Sequence, residues 1–503
     1  MRTWILARRH RRWGVFTTAL LLSVWVAIAA GFLRPSDLRQ GWAALGLSRR
    51  AAGDGVFEVK PYLQPGDAAP GRLSLLWQTL DDVRSNAAWG VELRPEGSDA
   101  WTPMGPPTSR RLALAGLPAY RLFRAGLTGL SPNKTFEYRV TRGGRPVFLA
   151  PVKGRPGVDD PQRFVVFGDG GAGTYEQAAV AERVYSARPD YVVITGDIVY
   201  VRGRVSEYLD LYFPVYNADA PSAWSGAPLL RSTPIFAAPG NHDMVDRNFD
   251  RFPDALAYFY YCDPPANGPE PTPDGRGTPV LQGANDRRKA FLDAAGPAYP
   301  RAASYTFDQG GAHWVVLDSN PHADWNDPAL ARWLEADLNS PAARDAAWRF
   351  VAMHHPMFNS SHAHGDDQRM RVIAPILERG KVDVVFAGHV HNYQRTRPLR
   401  FAPTPGLGDE PGSLVAGEFT YDRTFDGVTH TTPSSPLYIV TGAGGARLYD
   451  VRQGRDRASW QPFTVAFVSD VHSFTIVDMT RAVLQIRQVS DAGQTLDQLK
   501  ITR

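Results

Sequence analysis

After residue 160 the chain repeatedly closes an apolar run with side chains that can hold a cation. Asp169 ends RFVVFGD, Asp197 and Tyr200 end YVVITGDIVY, and Asn241-His242 fall in IFAAPGNHD. His354-His355 follow in RFVAMHHP, then His389 and His391 in VDVVFAGHVH. Singly, most are weak: a Gly-Asp after a strand is usually a turn and a lone Asn-His says little, whereas a His-x-His after Gly suggests metal binding although many such pairs arise by chance. The ordered series is not weak, because ligands of α/β domains gather at the carboxyl ends of the strands. Gly168, Gly196, Gly240 and Gly388 precede the key residue of a motif. A tight strand-to-loop turn beside a ligand needs glycine there.

Asp, Asn, Tyr and His offer hard oxygen and imidazole nitrogen donors, which suit iron, zinc or manganese, whereas a thiolate set is absent. A shared carboxylate can bridge two ions about 3.5–4 Å apart, a pair that clamps the attacking and leaving oxygens of an in-line displacement. Phosphate ester hydrolysis gains most from that arrangement.

The elements that must position these residues are legible in the same stretch. The apolar runs alternate with helix-like segments such as TYEQAAVAERVYSA and DPALARWLEADLNS, the β-α-β pattern of a layered α/β domain over residues 159–503. Its last part reads as strands, with a hairpin around Asp491-Ala492-Gly493. Residues 244–312 hold many prolines and the string YFYY at 258–261. Such an insertion is either a functional loop or lid, or a surface excursion packed by its own aromatics. Residues 56–158 show short strand runs separated by Gly/Pro/Asp clusters and no helical period, which predicts a small β-sandwich with Trp77 in its core.

With 503 residues, 43% hydrophobic and 21% charged, the chain suits two or three domains and a sizeable core. A net charge of +4 is compatible with an anionic substrate, and no Lys/Arg block points to nucleic acid. The single cysteine, Cys262, excludes an internal disulfide and reads as a structural thiol. Residues 1–33 combine a basic start with an uncharged run at 13–33, long enough to span a bilayer as a helix with the N-terminus cytoplasmic. The run reads as an uncleaved anchor; a signal peptide cut near 27–29 is the alternative. Residues 34–55 form a linker. The expected location is therefore extracytoplasmic, membrane-anchored or secreted. Asn133-Lys134-Thr135 is a glycosylation sequon.

The blocks GDGG, GDIVY, GNHD, VAMH and GHVHNYQR, in that order, resemble the purple acid phosphatase family of the calcineurin-like metallophosphoesterase superfamily. The stretch GLSPNKTFEYRV, with Leu130, Pro132 and Tyr138, resembles a fibronectin type III module, which precedes the catalytic domain in larger family members. The resemblance implies a four-layer α/β/β/α sandwich. It implies Fe(III) held by Asp169, Tyr200 and His391, a divalent iron, zinc or manganese ion held by Asn241, His354 and His389, and Asp197 as the bridge. It also implies a metal-bound hydroxide as nucleophile. His354 is preferred over His355 because it fills the fourth place of Val-x-x-His. Most of the superfamily carries Asp-x-His where this chain has Asp169-Gly170-Gly171, so Tyr200 supplies the missing donor, and its phenolate gives the family its colour.

In the family the place of His242 contacts the phosphate, and His362 or His364 stands loosely where some members keep a histidine that protonates the leaving group. His472 lies too far along the chain to be given a role from spacing. The reading is a phosphate monoesterase acting on a small phosphorylated substrate. A phosphodiesterase or nucleotide-sugar pyrophosphatase is the alternative on the same centre. The loops around 244–312 and 401–435 would decide between them. A membrane-anchored binding protein on an inactive fold would have lost one or more of the seven ligands, and none is missing.

Overall fold

The strand Arg72–Leu80 reads RLSLLWQTL, without the alternation of a half-buried strand. Both of its faces are covered. Leu75 and Trp77 point into the sandwich core with Val91, Leu93 and Tyr138, and Trp77 stacks on Phe123 at 5.1 Å. Leu76 faces the other way, joining Tyr62, Tyr120 and Leu122 against residues of the α/β domain. The computed structural model describes residues 55–81, 87–271, 277–297, 299–404 and 414–503. The expected span at 13–33 and residues 34–54 of the linker lie outside them. Among the described residues, no helix is long and apolar enough to cross a membrane.

The sandwich consists of two antiparallel four-stranded sheets. One runs Val59–Gln64, Arg72–Leu80, Tyr120–Thr128, Thr108–Leu112. The other runs Thr102–Pro103, Trp89–Pro95, Thr135–Arg142, Arg145–Lys153. Tyr138 sits within the strand Thr135–Arg142, and its buried hydroxyl crosses to the α/β domain, donating to the Arg231 carbonyl at 2.9 Å.

The core of the α/β domain is formed by two large sheets face to face. In the six-stranded sheet the parallel strands Ile235–Ala237, Tyr191–Ile194 and Gln162–Phe167 continue into the antiparallel hairpins of Ser473–Met479, Val483–Ser490 and Thr495–Thr502. The last turn falls at Asp491-Ala492-Gly493, as the sequence suggests. The seven-stranded sheet holds Ala312–Leu317, Trp348–Met353, Val384–Ala387 and Leu437–Thr441 in parallel. Between the sheets Phe164, Tyr191 and Phe236 meet Phe307, Trp314, Phe350 and Phe386. Helix Tyr175–Ser186 covers the outer face of the first sheet. Helices Pro328–Leu338 and Ala374–Arg379 cover that of the second. The layers are therefore α/β/β/α. Both long helices start where their sequences indicate: Thr174 accepts from the Gln177 N–H, and Asp327 from the Ala329 N–H with proline next.

The insertion at 244–312 packs by its own aromatics and also seats the sandwich. The four rings of helix Tyr258–Tyr261 are buried. Tyr62 donates to the Tyr261 carbonyl at 3.0 Å, Tyr261 donates to Gln78 at 2.9 Å, and Arg110 donates to the carbonyls of Tyr260 and Ala295. Cys262 is packed against the same cluster.

Buried His313 ties the second sheet to its covering helix, bonding Asp308 at 2.8 Å and Asp337 at 2.9 Å. Burial disfavours its charge, but the two carboxylates outweigh this and raise its pKa to about 9. The folded value exceeds the unfolded one of about 6.5. The resulting stability is fully present below about pH 6.5 and is lost as pH rises through about 9, up to roughly 3 kcal/mol. Urea unfolding of wild type and His313→Gln should therefore show a stability gap that narrows between pH 6 and pH 9.5; a constant gap would contradict this.

Candidate metal centre

Strand register brings the motifs to one edge. Phe167 pairs with Ile194, and Ile194 with Ala237. In the second sheet Ala352 pairs with Phe386. The loops beyond these residues carry Asp169, Asp197, Asn241, His354 and His389, and all but Asn241 are buried. Asp169, Asp197 and His389 have φ of 60°, 49° and 68°. Such left-handed backbone in non-glycine residues is held by surrounding structure and collects at functional sites.

The side chains form two groups. Tyr200 Oη lies 3.2 Å from Asp169 Oδ1 and 3.0 Å from His391 Nε2, and His391 Nε2 lies 3.4 Å from the same carboxylate. Asn241 Oδ1 lies 2.9 Å from His354 Nε2 and 3.0 Å from His389 Nδ1. Asp197 stands by both groups: it is 3.4 Å from His354 Nε2, and its charge acts on the Tyr200 phenol. Asp169, Asp197 and His354 bring ligand atoms within 4.8 Å of one another.

Hydrogen bonds at the far side of two rings fix their tautomers. His354 Nδ1–H donates to the Thr195 carbonyl at 2.8 Å, and His391 Nδ1–H to the Arg447 carbonyl at 2.7 Å. Each Nε2 therefore presents a lone pair to the cluster. His354 Nε2 then faces the amide oxygen of Asn241, acceptor against acceptor at 2.9 Å, a contact that a cation between them makes favourable. The charges agree. Burial, with neighbouring His355 and His354, holds His389 well below its ordinary pKa, so it is neutral and free to ligate. Burial opposes a proton on His391, but Asp169 raises its pKa. Desolvation and the Asp197 and Asp169 carboxylates push the Tyr200 phenol well up, so a phenolate needs added positive charge beside it. The donor set fits two cations.

The glycines serve mainly as space. A Cβ on Gly240 would lie 2.1 Å from the Asp197 nitrogen, and one on Gly388 2.6 Å from Asp169 Oδ2. Gly171 is the sharpest case: a Cβ there would lie 1.9 Å from the Ile198 carbonyl oxygen, and the Tyr200 N–H donates to the Gly171 carbonyl at 3.0 Å. The backbone just ahead of Tyr200 fills the room of a side chain at 171.

His242 stands at the rim. Its N–H donates to Asp197, its Nδ1–H donates to the Val201 carbonyl at 2.7 Å, and its ring lies 4.6 Å from that of Tyr200. His364 faces the cluster, its ring 4.1 Å from that of His389, whereas His362 is exposed. Buried His355 bonds Ser319 through Nδ1, and His472 bonds the Ala446 carbonyl.

Three further residues escape the sequence reading. Asp243 is fully buried and accepts from the Ile198 and Gly240 N–H groups, tying the loop of Asp197 to that of Asn241. Its place inside GNHD was a usable signal. Tyr449 stacks on His391 at 4.1 Å, and Asp367 lies 3.9 Å from His389. Neither directly ends an apolar run, so spacing could not find them.

The profile described as calcineurin-like phosphoesterase matches residues 162–393, the span from the strand before Asp169 to just past His391. This part of the chain is similar to calcineurin-like phosphoesterase domains. Its relatives include purple acid phosphatases. Purple acid phosphatase 21 of Arabidopsis thaliana is 34% identical over 28% of this chain and 27% of its own length. Purple acid phosphatase 23 of the same plant is 24% identical over 63% of this chain and 61% of its own. The chain thus spans less than two thirds of the length of these relatives. The purple acid phosphatase PPD1 from yellow lupin (Lupinus luteus) seeds shares the fold, with a TM-score of 0.61 at 18% identity over 88% of this chain and 74% of that one.

Gly171→Ala should cost more than about 2 kcal/mol by chemical unfolding, because neither overlapping group is a flexible side-chain end. Ala172→Gly, one residue on, should cost less than half of that. Equal costs would show that the contact between 171 and 198 is unimportant.

Proposed function

We propose that the chain hydrolyses phosphate monoesters at a dinuclear metal centre. Asp169, Tyr200 and His391 would hold Fe(III), Asn241, His354 and His389 a divalent iron, zinc or manganese ion, and Asp197 both. The observation that carries this reading is the pair of donor groups joined by one buried carboxylate, with the lone pair of His354 turned on the amide oxygen of Asn241. When bound, such a pair of ions polarises a phosphoryl oxygen and lowers the pKa of water.

The protein's own groups do the rest. The Thr195 and Arg447 carbonyls keep two imidazoles turned inward. His242, with Nδ1–H committed to the Val201 carbonyl, would need a second proton, on Nε2, to donate to a phosphoryl oxygen. His364 sits half-buried beside His389, at hand to give a proton to the leaving oxygen. Burial and nearby His391 lower its pKa, which loosens that proton. The same centre accommodates diester hydrolysis, the second reading. The relatives' names as acid phosphatases favour the monoester.

Metal analysis of the purified chain should give two ions, with a visible phenolate-to-iron band that Tyr200→Phe removes. An unchanged band would put the phenolate elsewhere, and a colourless zinc or manganese protein would sink the iron site. In a panel of mono- and diesters, His364→Asn should lower kcat by about 10²–10⁴ for poor leaving groups and far less for good ones. His362→Asn should do neither. No hydrolysis of any ester after metal reconstitution would end the proposal.

A further inference from the structure

His355, Asp367 and His389 bring ligand atoms within 4.8 Å of one another. Proton bookkeeping decides what they do. Ser319 Oγ accepts from two backbone N–H groups, of His354 at 3.2 Å and His355 at 2.9 Å. Both its lone pairs are thereby used, so its hydroxyl proton goes to His355 Nδ1, 2.9 Å away. His355 is then the Nε2–H tautomer, and that nitrogen faces Asp367 Oδ2 at 3.8 Å. On the reading given under Proposed function, His389 offers the Nδ1 lone pair beside Asn241 and so also keeps its proton on Nε2. That nitrogen faces the same oxygen at 3.9 Å. Arg369 donates to it at 2.8 Å. Three donors therefore converge on one carboxylate oxygen, and a third cation is excluded there, because neither Nε2 has a lone pair to offer. The other oxygen, Asp367 Oδ1, is buried with no hydrogen-bond partner among the described residues.

We infer that Asp367 is a positioning residue of the second metal site: it orients the His389 ring, strengthens its Nδ1 as a donor, and leaves the tyrosine site alone. The separations exceed a direct hydrogen bond, so the carboxylate acts as a near charge or through a water. Carboxylates behind ligating imidazoles typically contribute about 10–100-fold to metal affinity. The loop of Asp367 also carries His364, so one segment sets both the ligand ring and the nearby proton donor.

The test uses the full chain, stripped of metal and titrated with Zn(II) and with Co(II) as a spectroscopic probe, alongside a second sample loaded with iron. Wild type should take up two ions; fewer would overturn the dinuclear reading and this inference together. Asp367→Asn should weaken one ion by about 10–100-fold, shift the Co(II) d–d bands of that ion, and leave the phenolate-to-iron band in place. Arg369→Gln, which keeps the carboxylate, should hold both ions. Two ions at wild-type affinity in a folded Asp367→Asn chain would overturn the inference. So would equal loss in Arg369→Gln, which would trace the effect to the loop and not to the carboxylate. If Asp367→Asn fails to accumulate, Asp367→Ala with added formate takes its place, and no recovery of ion affinity overturns the inference.

Discussion

Two buried carboxylates, Asp169 and Asp197, stand at neighbouring strand tips, and the ion pairs described for them are with histidines alone. Burying an anion is costly unless positive charge or converging donors answer it. Much of the site follows from that demand. The His389 N–H donates to Asp169, and the His242 N–H to Asp197. These bonds need loops that turn within a residue or two of the strand, and left-handed backbone at both aspartates and His389 is the form the turn takes. The remaining demand for charge favours a cation at the cluster over a purely polar core.

The layered domain was legible because its strands are buried on both faces. They read as unbroken apolar runs, and each run stops where the chain reaches the edge of the sheet. That stop is also where the polar side chains gather, so the candidate ligands could be listed from the same signal. Tyr200 needed one more step, the absence of a histidine at 171. The structure adds the physical side of that absence: position 171 has no room for any side chain, because backbone at 198–199 occupies it. A side chain at 171 and the present path of 198–200 therefore exclude one another, which couples the two loops.

What could not be read is what long loops decide. Spacing left His362 and His364 equal, and only the path of the chain after Ser361 turns one ring inward. Asp367 and Tyr449 reach the site from segments with no periodic pattern, so nothing local marks them. Asp243 is different: it lies within GNHD, but it holds backbone and does not face the cluster, so ligand chemistry does not mark it. The insertion at 244–312 was open between lid and packed excursion, and the buried string YFYY answers for the packing while meeting a partner that sequence distance hides.

That seat has a consequence for how such a chain can be recombined. The junction near residue 158 looks like a natural place to exchange modules. Yet the α/β part would arrive elsewhere with Tyr208, Phe213 and Tyr258 to Tyr261 robbed of Tyr62, Leu76, Tyr120 and Leu122 as cover. An aromatic face of that kind, once wetted, invites association. The sandwich is therefore a wall of the building and not an annexe, and the two parts would have to be inherited together.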